Sequence, residues 1–383
     1  MKPIPYGKQH ITDEDIKAVV DVLHSSNLTQ GPKIKEFEQA FCEYVGAQHG
    51  IAVSNGTAAL HLSAIALNVK PGDKVITTPI TFVASANCVR YCGGEVVFAD
   101  IDPETFLLDI NKVEMLLHDA PPDTFKGIIL VDFAGYPVNL EKYRQLADEY
   151  GLWLIADACH SPGGFFCDKN GKKQLCGNGN FADLAVFSFH PVKHIAAGEG
   201  GMITTNNDKL YCELLNLRTH GIQQNKSKLT ENHGRWYYEM QELGFNYRLT
   251  DMQAALALSQ LKRAHKSLER RHQIAKRYDE ALKDSPLKTP SITDGVFHAY
   301  HLYVIRTEKR DELIEYLHQS NIMAQVHYIP CHYQPYYRNH GWKKGDLPIA
   351  EAYYQQCLSI PMYPSLTDGE QDYVIQTILE FFD

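Results

Sequence analysis

Lys193 lies in the run Ser188-Phe-His-Pro-Val-Lys193-His-Ile-Ala-Ala-Gly-Glu-Gly-Gly201, where an apolar, strand-like stretch gives way to a turn-rich loop. A lysine placed there can condense with an aldehyde, because partial burial lowers its pKa and frees the amine lone pair. Asp157 ends a second apolar run, Leu152-Trp-Leu-Ile-Ala-Asp157. One Schiff-base lysine and one strand-end carboxylate are the two residues that pyridoxal phosphate asks of a protein. A third segment, Ser54-Asn-Gly-Thr-Ala-Ala-Leu60, joins a short strand to a helix. Gly56 allows close backbone approach there, Thr57 supplies a hydroxyl, and the free N–H groups of the helix start favour a phosphate.

Each of these residues also has a plainer reading. Asp157 could be a helix N-cap, Ser188 a strand-end cap, His160 hydrogen-bonded scaffolding, and Phe82 a core aromatic rather than a ring-stacking one. Their joint order argues against the plain set: a phosphate turn, an aromatic, Asp-x-x-His, then a serine five residues before a lysine.

The elements that must position these groups follow from periodicity. Thr12 predicts the N-cap of a first helix, with Ile16, Val19, Val20 and Leu23 on one face. Pro32 opens a second helix carrying Ile34, Phe37 and Phe41, closed by Gly46. From residue 50, short apolar runs alternate with helical segments: Ile51–Val53, Lys74–Thr77, Glu95–Phe98, Ile128–Val131, Trp153–Ile155, Ala185–Phe187 and Met202–Thr204. That alternation predicts an α/β fold with a mostly parallel sheet covered on both faces. Ligands bind beyond the strand carboxyl ends of such sheets, where Thr57, Asp157 and Lys193 fall. A long helix is expected from Asp251 to Leu282, then strands at Tyr300–Ile305 and Met323–Tyr328 enclosing a helix from Asp311 to His318. The division predicted is a large domain over 1–250, with the N-terminal helical segment, and a small α+β domain over 251–383.

Composition narrows the class. The 383 residues are 44% hydrophobic and 22% charged, with a net charge of -9, which argues against sequence-independent nucleic-acid binding. No apolar run approaches the roughly 20 residues that span a bilayer. The N-terminus lacks a signal-peptide core, so a cytoplasmic location is expected. Nine cysteines without a CxxC pair read as free thiols, with no metal site.

The segments Asn55-Gly-Thr-Ala-Ala-Leu60, Thr78-Pro-Ile-Thr-Phe-Val-Ala84, Asp157-Ala-Cys-His160, Phe187-Ser-Phe-His-Pro-Val-Lys193, Gly198-Glu-Gly-Gly201 and Leu243-Gly-Phe-Asn-Tyr-Arg248 together resemble the signature segments of the DegT/DnrJ/EryC1/StrS sugar aminotransferases. The resemblance covers essentially the whole chain. It implies the PLP-dependent transferase fold type I, as in aspartate aminotransferase, and pyridoxal 5'-phosphate as cofactor. Lys193 would bond the cofactor and Asp157 would face its pyridine nitrogen. His160 would lie near the ring oxygen, Phe82 would stack on the ring, and Gly56, Thr57 and Ser188 would surround the phosphate. Asn246 would reach the phosphate of a neighbouring subunit, making the active unit a homodimer with shared sites.

A narrower resemblance is to the pseudaminic-acid pathway branch, through Tyr6, Leu28-Thr-Gln-Gly31, Thr77–Phe82, Ser188–Lys193 and Ala324-Gln-Val-His-Tyr328. It implies that Tyr6, the segment Ser26, Asn27, Leu28 and Thr29, and the segment Gln325, Val326, His327 and Tyr328 line the nucleotide-sugar site. The chain departs from that branch at Gly56, often alanine there, and at His194, where proline is more usual. The expected reaction is amino transfer from L-glutamate to C4 of a UDP-linked 4-keto-6-deoxy-hexose, with Lys193 as general base and acid. The alternatives are another nucleotide-linked keto-sugar (dTDP or UDP, C3 or C4) or a non-catalytic regulator on the same fold. A dehydratase of this scaffold would carry histidine where Lys193 stands.

Overall fold

The computed structural model describes residues 2–231 and 233–383. All seven expected core strands form and join one sheet. In chain order the strands are β1 (Ile4–Pro5), β2 (His49–Val53), β3 (Lys74–Thr77), β4 (Glu95–Phe98), β5 (Phe125–Val131), β6 (Trp153–Asp157), β7 (Phe165–Cys167), β8 (Lys173–Leu175), β9 (Leu184–Ser188) and β10 (Gly201–Thr205). The large sheet runs β2-β10-β9-β6-β5-β3-β4 in space. Only β10 runs against its neighbours β2 and β9. Continuous burial along β6, β9 and β10 is what a sheet covered on both faces requires. Strands β7 and β8 form an antiparallel hairpin, running from Phe165 to Leu175 with Cys167 closing β7, that joins Val296–Phe297 in a separate three-stranded sheet.

Helices α1 (Asp13–Leu23), α2 (Pro32–Val45), α3 (Gly56–Ala66), α4 (Ala84–Tyr91), α5 (Ile110–Asp119), α6 (Leu140–Tyr150) and α7 (Asp208–Leu217) accompany the strands. Thr12 caps α1 in a capping box with Asp15, as expected. Pro32 opens α2, and Gly46 closes it with φ +78, in the left-handed region glycine tolerates.

Three expectations are corrected. The apolar face of α1 does not enter the core: Ile16 and Leu23 are 55% and 54% exposed, while Asp15 and Val22 are the buried positions. The long helix is two helices, α8 (Asp251–Leu261) and α9 (Ala264–Leu282), broken at Lys262–Arg263 without glycine or proline. At the break the Arg263 guanidinium binds Asp15 and the carbonyl of His10. That tertiary tie is invisible to local propensity. Finally, Met323–Tyr328 is not a strand: ladder pairing is limited to Ile322–Met323 against β1, with one isolated bridge from Gln325 to Ser359 beyond it.

The expected strand at Tyr300–Ile305 starts later, at Tyr303, and runs to Arg306 against Cys357–Ile360. Residues before it are held instead by Ala134 and Gly135, through Leu302 N–H to Ala134 at 3.1 Å and Ala299 N–H to Gly135 at 2.7 Å. Helix α10 (Arg310–Gln319) lies where Asp311–His318 was expected. Buried apolar residues fall into two clusters. The larger surrounds the seven-stranded sheet and takes Ala254, Ala257 and Leu261 from α8. The smaller joins Ile4 to residues of α9, α10 and the chain's end, such as Tyr278, Leu313 and Ile378.

Candidate active site

The carboxyl ends of β2, β5, β6 and β9 open onto a cavity of about 490 Å3, which also receives Tyr6, His327 and Tyr328. Asp157 is the last residue of β6 and is buried. Its Oδ2 accepts the Ser85 hydroxyl at 2.7 Å, and its Oδ1 accepts the Cys159 N–H at 3.2 Å. Ser85 also lies 2.8 Å from the Thr81 hydroxyl, so α4 holds the carboxylate in one orientation.

Lys193 sits in the turn after β9, its own N–H given to the carbonyl of His190 at 2.9 Å. Among the described residues no carboxylate lies within ion-pair distance of its amine. Burial lowers the pKa of that amine, against an opposing pull from Cys159 and Asp157. Its neutral form is therefore more accessible than in a surface lysine.

At the start of α3, the Asn55 side chain takes the Ala58 N–H at 2.8 Å. The first-turn amides of Gly56 and Thr57 stay free, as helix geometry dictates. A Cβ at Gly56 would lie 3.0 Å from the Ser188 Cβ, so glycine lets the helix start close on the end of β9. The Ser188 hydroxyl accepts the His190 N–H at 3.3 Å.

His160 is buried, with Nε2 3.3 Å from the Tyr328 hydroxyl and Nδ1 without a partner. Burial holds its pKa well below the usual imidazole range, and the charges of Lys193, His327 and His194 add to the effect. Burial and then Lys193 push His327 down to about 3, and its Nδ1 lies 2.9 Å from the Ser359 hydroxyl. The ring of Tyr6 lies 4.9 Å from that of His327. Phe82 is 59% exposed at the cavity edge, which removes the core reading and leaves a ring face open.

The cavity thus gathers Tyr6, Gly56, Thr57, Phe82, Asp157, His160, Ser188, Lys193, His327 and Tyr328. It does not gather the others. Ser26, Asn27, Leu28 and Thr29 form an exposed loop fastened to α8, with the Asp251 N–H on the Leu28 carbonyl at 3.0 Å. Gln325 is exposed and pairs with Ser359, and Val326 is half-buried between the two clusters. Asn246 is exposed and bridges Thr219.

Sequence reasoning missed Ser85, Thr81 and Glu199, which also line the cavity. The spacing of Thr81 and Ser85, one helical turn apart and bracketing Phe82, was the available signal for two of them. The donor set fits pyridoxal phosphate: free helix-start amides and hydroxyls for a phosphate, a fixed carboxylate for a pyridinium, an unpaired amine for the aldehyde. The orphaned Nδ1 of buried His160 is a further polar atom awaiting a partner.

Residues 9–379 match the sequence profile of the DegT/DnrJ/EryC1/StrS aminotransferase family. The chain is 38% identical over 384 residues to the spore coat polysaccharide biosynthesis protein SpsC of Bacillus subtilis strain 168, covering 98% of this chain and 96% of that protein. It superposes on Helicobacter pylori PseC, an aminotransferase involved in the biosynthesis of pseudoaminic acid, with TM-score 0.88 and 32% identity, covering 100% of this chain and 99% of that one. The PLP form of the putative sugar aminotransferase Spr1654 from Streptococcus pneumoniae matches with TM-score 0.87 and 30% identity over 98% of this chain and 97% of that one. These neighbours have the fold type I architecture of PLP-dependent aminotransferases, as the sequence led us to expect.

Proposed function

The chain belongs to the DegT/DnrJ/EryC1/StrS aminotransferase family, which is PLP-dependent, and from that premise we propose a specific reaction. An amino group passes from L-glutamate to C4 of a UDP-linked 4-keto-6-deoxy-hexose, UDP-2-acetamido-2,6-dideoxy-β-L-arabino-hex-4-ulose, in surface-glycan biosynthesis of the pseudaminic-acid kind. The observation that carries an amino-transfer reading is the convergence of an unpaired Lys193 amine, an oriented Asp157 carboxylate and the α3 start on one cavity. The choice of sugar is supported by the whole-chain likeness to PseC.

When bound, pyridoxal phosphate supplies the aldehyde that accepts the amino group and the ring that delocalises a carbanion. The amides of Gly56 and Thr57, with the hydroxyls of Thr57 and Ser188, would hold the phosphate. Asp157, kept in place by Ser85, would keep the ring nitrogen protonated. Lys193 Nζ would be the base placed to take the proton from the donor Cα and the acid to return one. Neutral His160 can donate one hydrogen bond and accept another, which suits a ring oxygen.

In this reading Tyr6, Ser26–Thr29 and Gln325–Tyr328 contact the nucleotide-sugar, and Asn246 acts on a second copy's phosphate in a homodimer. Support for association comes from Ile11, Ile16, Val20, Leu23 and Leu28, exposed apolar residues on and around α1. A cytoplasmic location goes with the proposal; no helix among the described residues is long and apolar enough to cross a membrane. The test is a panel of UDP- and dTDP-linked 3-keto and 4-keto sugars assayed with glutamate. Amination of the UDP-4-keto sugar is expected, and turnover restricted to dTDP or 3-keto substrates would contradict the proposal.

A further inference from the structure

The residue after the catalytic lysine, His194, is buried, and its Nε2 lies 2.8 Å from the carbonyl of Ala299. A carbonyl only accepts, so Nε2 carries the proton and gives it to that oxygen. The loop that receives it, residues 298–302, is itself held firmly. Buried Arg271 donates to the carbonyls of Tyr300 at 2.9 Å, His301 at 3.3 Å and Met362 at 3.0 Å. Gly135, with φ +99, lies so close that an added Cβ would come within 2.8 Å of the Tyr300 nitrogen and 2.9 Å of the His160 carbonyl. From this loop His301 packs between two rings, 4.2 Å from that of His160 and 5.7 Å from that of His194.

We propose that His194 is a positioning residue for Lys193: its ring N–H, given to Ala299, ties the peptide that follows the lysine to the fixed loop 298–302 and so holds the amine in its buried place. Ile195 packs into the larger core cluster just beyond, but the turn around Lys193 has few other hydrogen-bond anchors. Its own N–H bonds only within the turn, to His190, and the next backbone tie of the loop comes at Ala197, whose N–H meets the carbonyl of Phe189, just after β9, at 2.8 Å. His301, by filling the space between the rings of His194 and His160, links the lysine side of the cavity to the side expected to meet the cofactor ring oxygen. The proposal rests on Lys193 as the cofactor lysine of the proposed function.

It is tested on the full chain prepared without cofactor. The rate of reductive methylation of Lys193, followed by mass spectrometry of its peptide across a pH series, gives the titration midpoint of the amine. Two variants separate the hydrogen bond from the ring. His194→Phe keeps an aromatic ring against His301 but loses the N–H, whereas His194→Gln keeps an N–H at similar reach. Thermal melting confirms that each is folded. The midpoint is expected below the ordinary lysine value in the unmodified chain, about one pH unit higher in the folded Phe variant as the amine gains solvent, and near the unmodified value in the Gln variant. A Phe variant with an unchanged midpoint overturns the positioning role, as does a Gln variant that rises as far as the Phe variant. An ordinary midpoint in the unmodified chain contradicts the buried setting of Lys193 itself, and so overturns both this proposal and the reading beneath it.

Discussion

Asp157 takes its hydrogen bonds from Ser85 and the Cys159 N–H, not from Lys193, and this leaves an oriented carboxylate and a free amine facing the same space. Two opposite charges in one cavity that do not pair are arranged for a third party. If Asp157 holds the cofactor nitrogen protonated, Asp157→Asn keeps the shape and loses the charge. Glutamate-dependent amination by that variant should fall by several orders of magnitude, since each ~1.4 kcal/mol of lost transition-state stabilisation is about tenfold in rate. A variant within a few-fold of wild type would reduce Asp157 to a turn residue that holds the Cys159 N–H. These two residues were legible because strand-end apolar runs announce them. Ser85 was not, because its importance lies in a partner 72 positions away.

At the level of elements, strands and helices of the sheet layer were readable from apolar runs, and all seven strands joined one sheet. What could not be read were elements shaped by tertiary contact. Helix α1 shows its apolar stripe outward because its buried face is anchored by a carboxylate: Asp15 is fully buried, paired with Arg263 and bonded to Gln260 at 2.8 Å and its own cap, Thr12 N–H, at 2.9 Å. The same arginine sits at the break between α8 and α9. Removing Arg263 strands Asp15, the fully buried member of the pair, so Arg263→Ala should cost about 3 kcal/mol in urea unfolding. A loss under about 1 kcal/mol, the range of exposed pairs, would show that α1 does not depend on this anchor. The segment 323–328 follows the same logic: its alternating apolar pattern serves delivery of His327 and Tyr328 to the cavity rather than a sheet.

Across the whole molecule, buried histidines set the response to acid. Burial pushes His298 and His327 down to about 3 and holds His160, His194 and His301 well below the ordinary range. A histidine depressed in the fold binds its proton first in the unfolded chain. Its contribution is therefore complete above the unfolded pKa of about 6.5 and is lost as pH falls toward 3, by up to about 1.4 kcal/mol per group and pH unit. Asp132 works the other way, since burial raises it to about 6 and its contribution fades as pH rises from about 4 to 6. Burial lowers His61 and His272 as well and raises Glu213 and Asp279; seven lowered histidines outweigh three raised carboxyls, so the urea midpoint should drop between pH 7 and pH 5, and a rise would contradict the burial of the cluster. Assembly has its own test. In heterodimers of a Lys193→Ala chain with an Asn246→Asp chain, action of Asn246 in trans puts both lesions in one site and leaves the other intact, so turnover near half the wild-type rate is expected. A dead heterodimer would place Asn246 in its own chain's site. The account as a whole stands on one lysine among the many this chain carries. Loading the full chain with pyridoxal phosphate, reducing with borohydride and mapping the added mass over every lysine peptide tests it most directly. The account predicts the cofactor mass on Lys193; a mass found only on other lysines, or none, would contradict it.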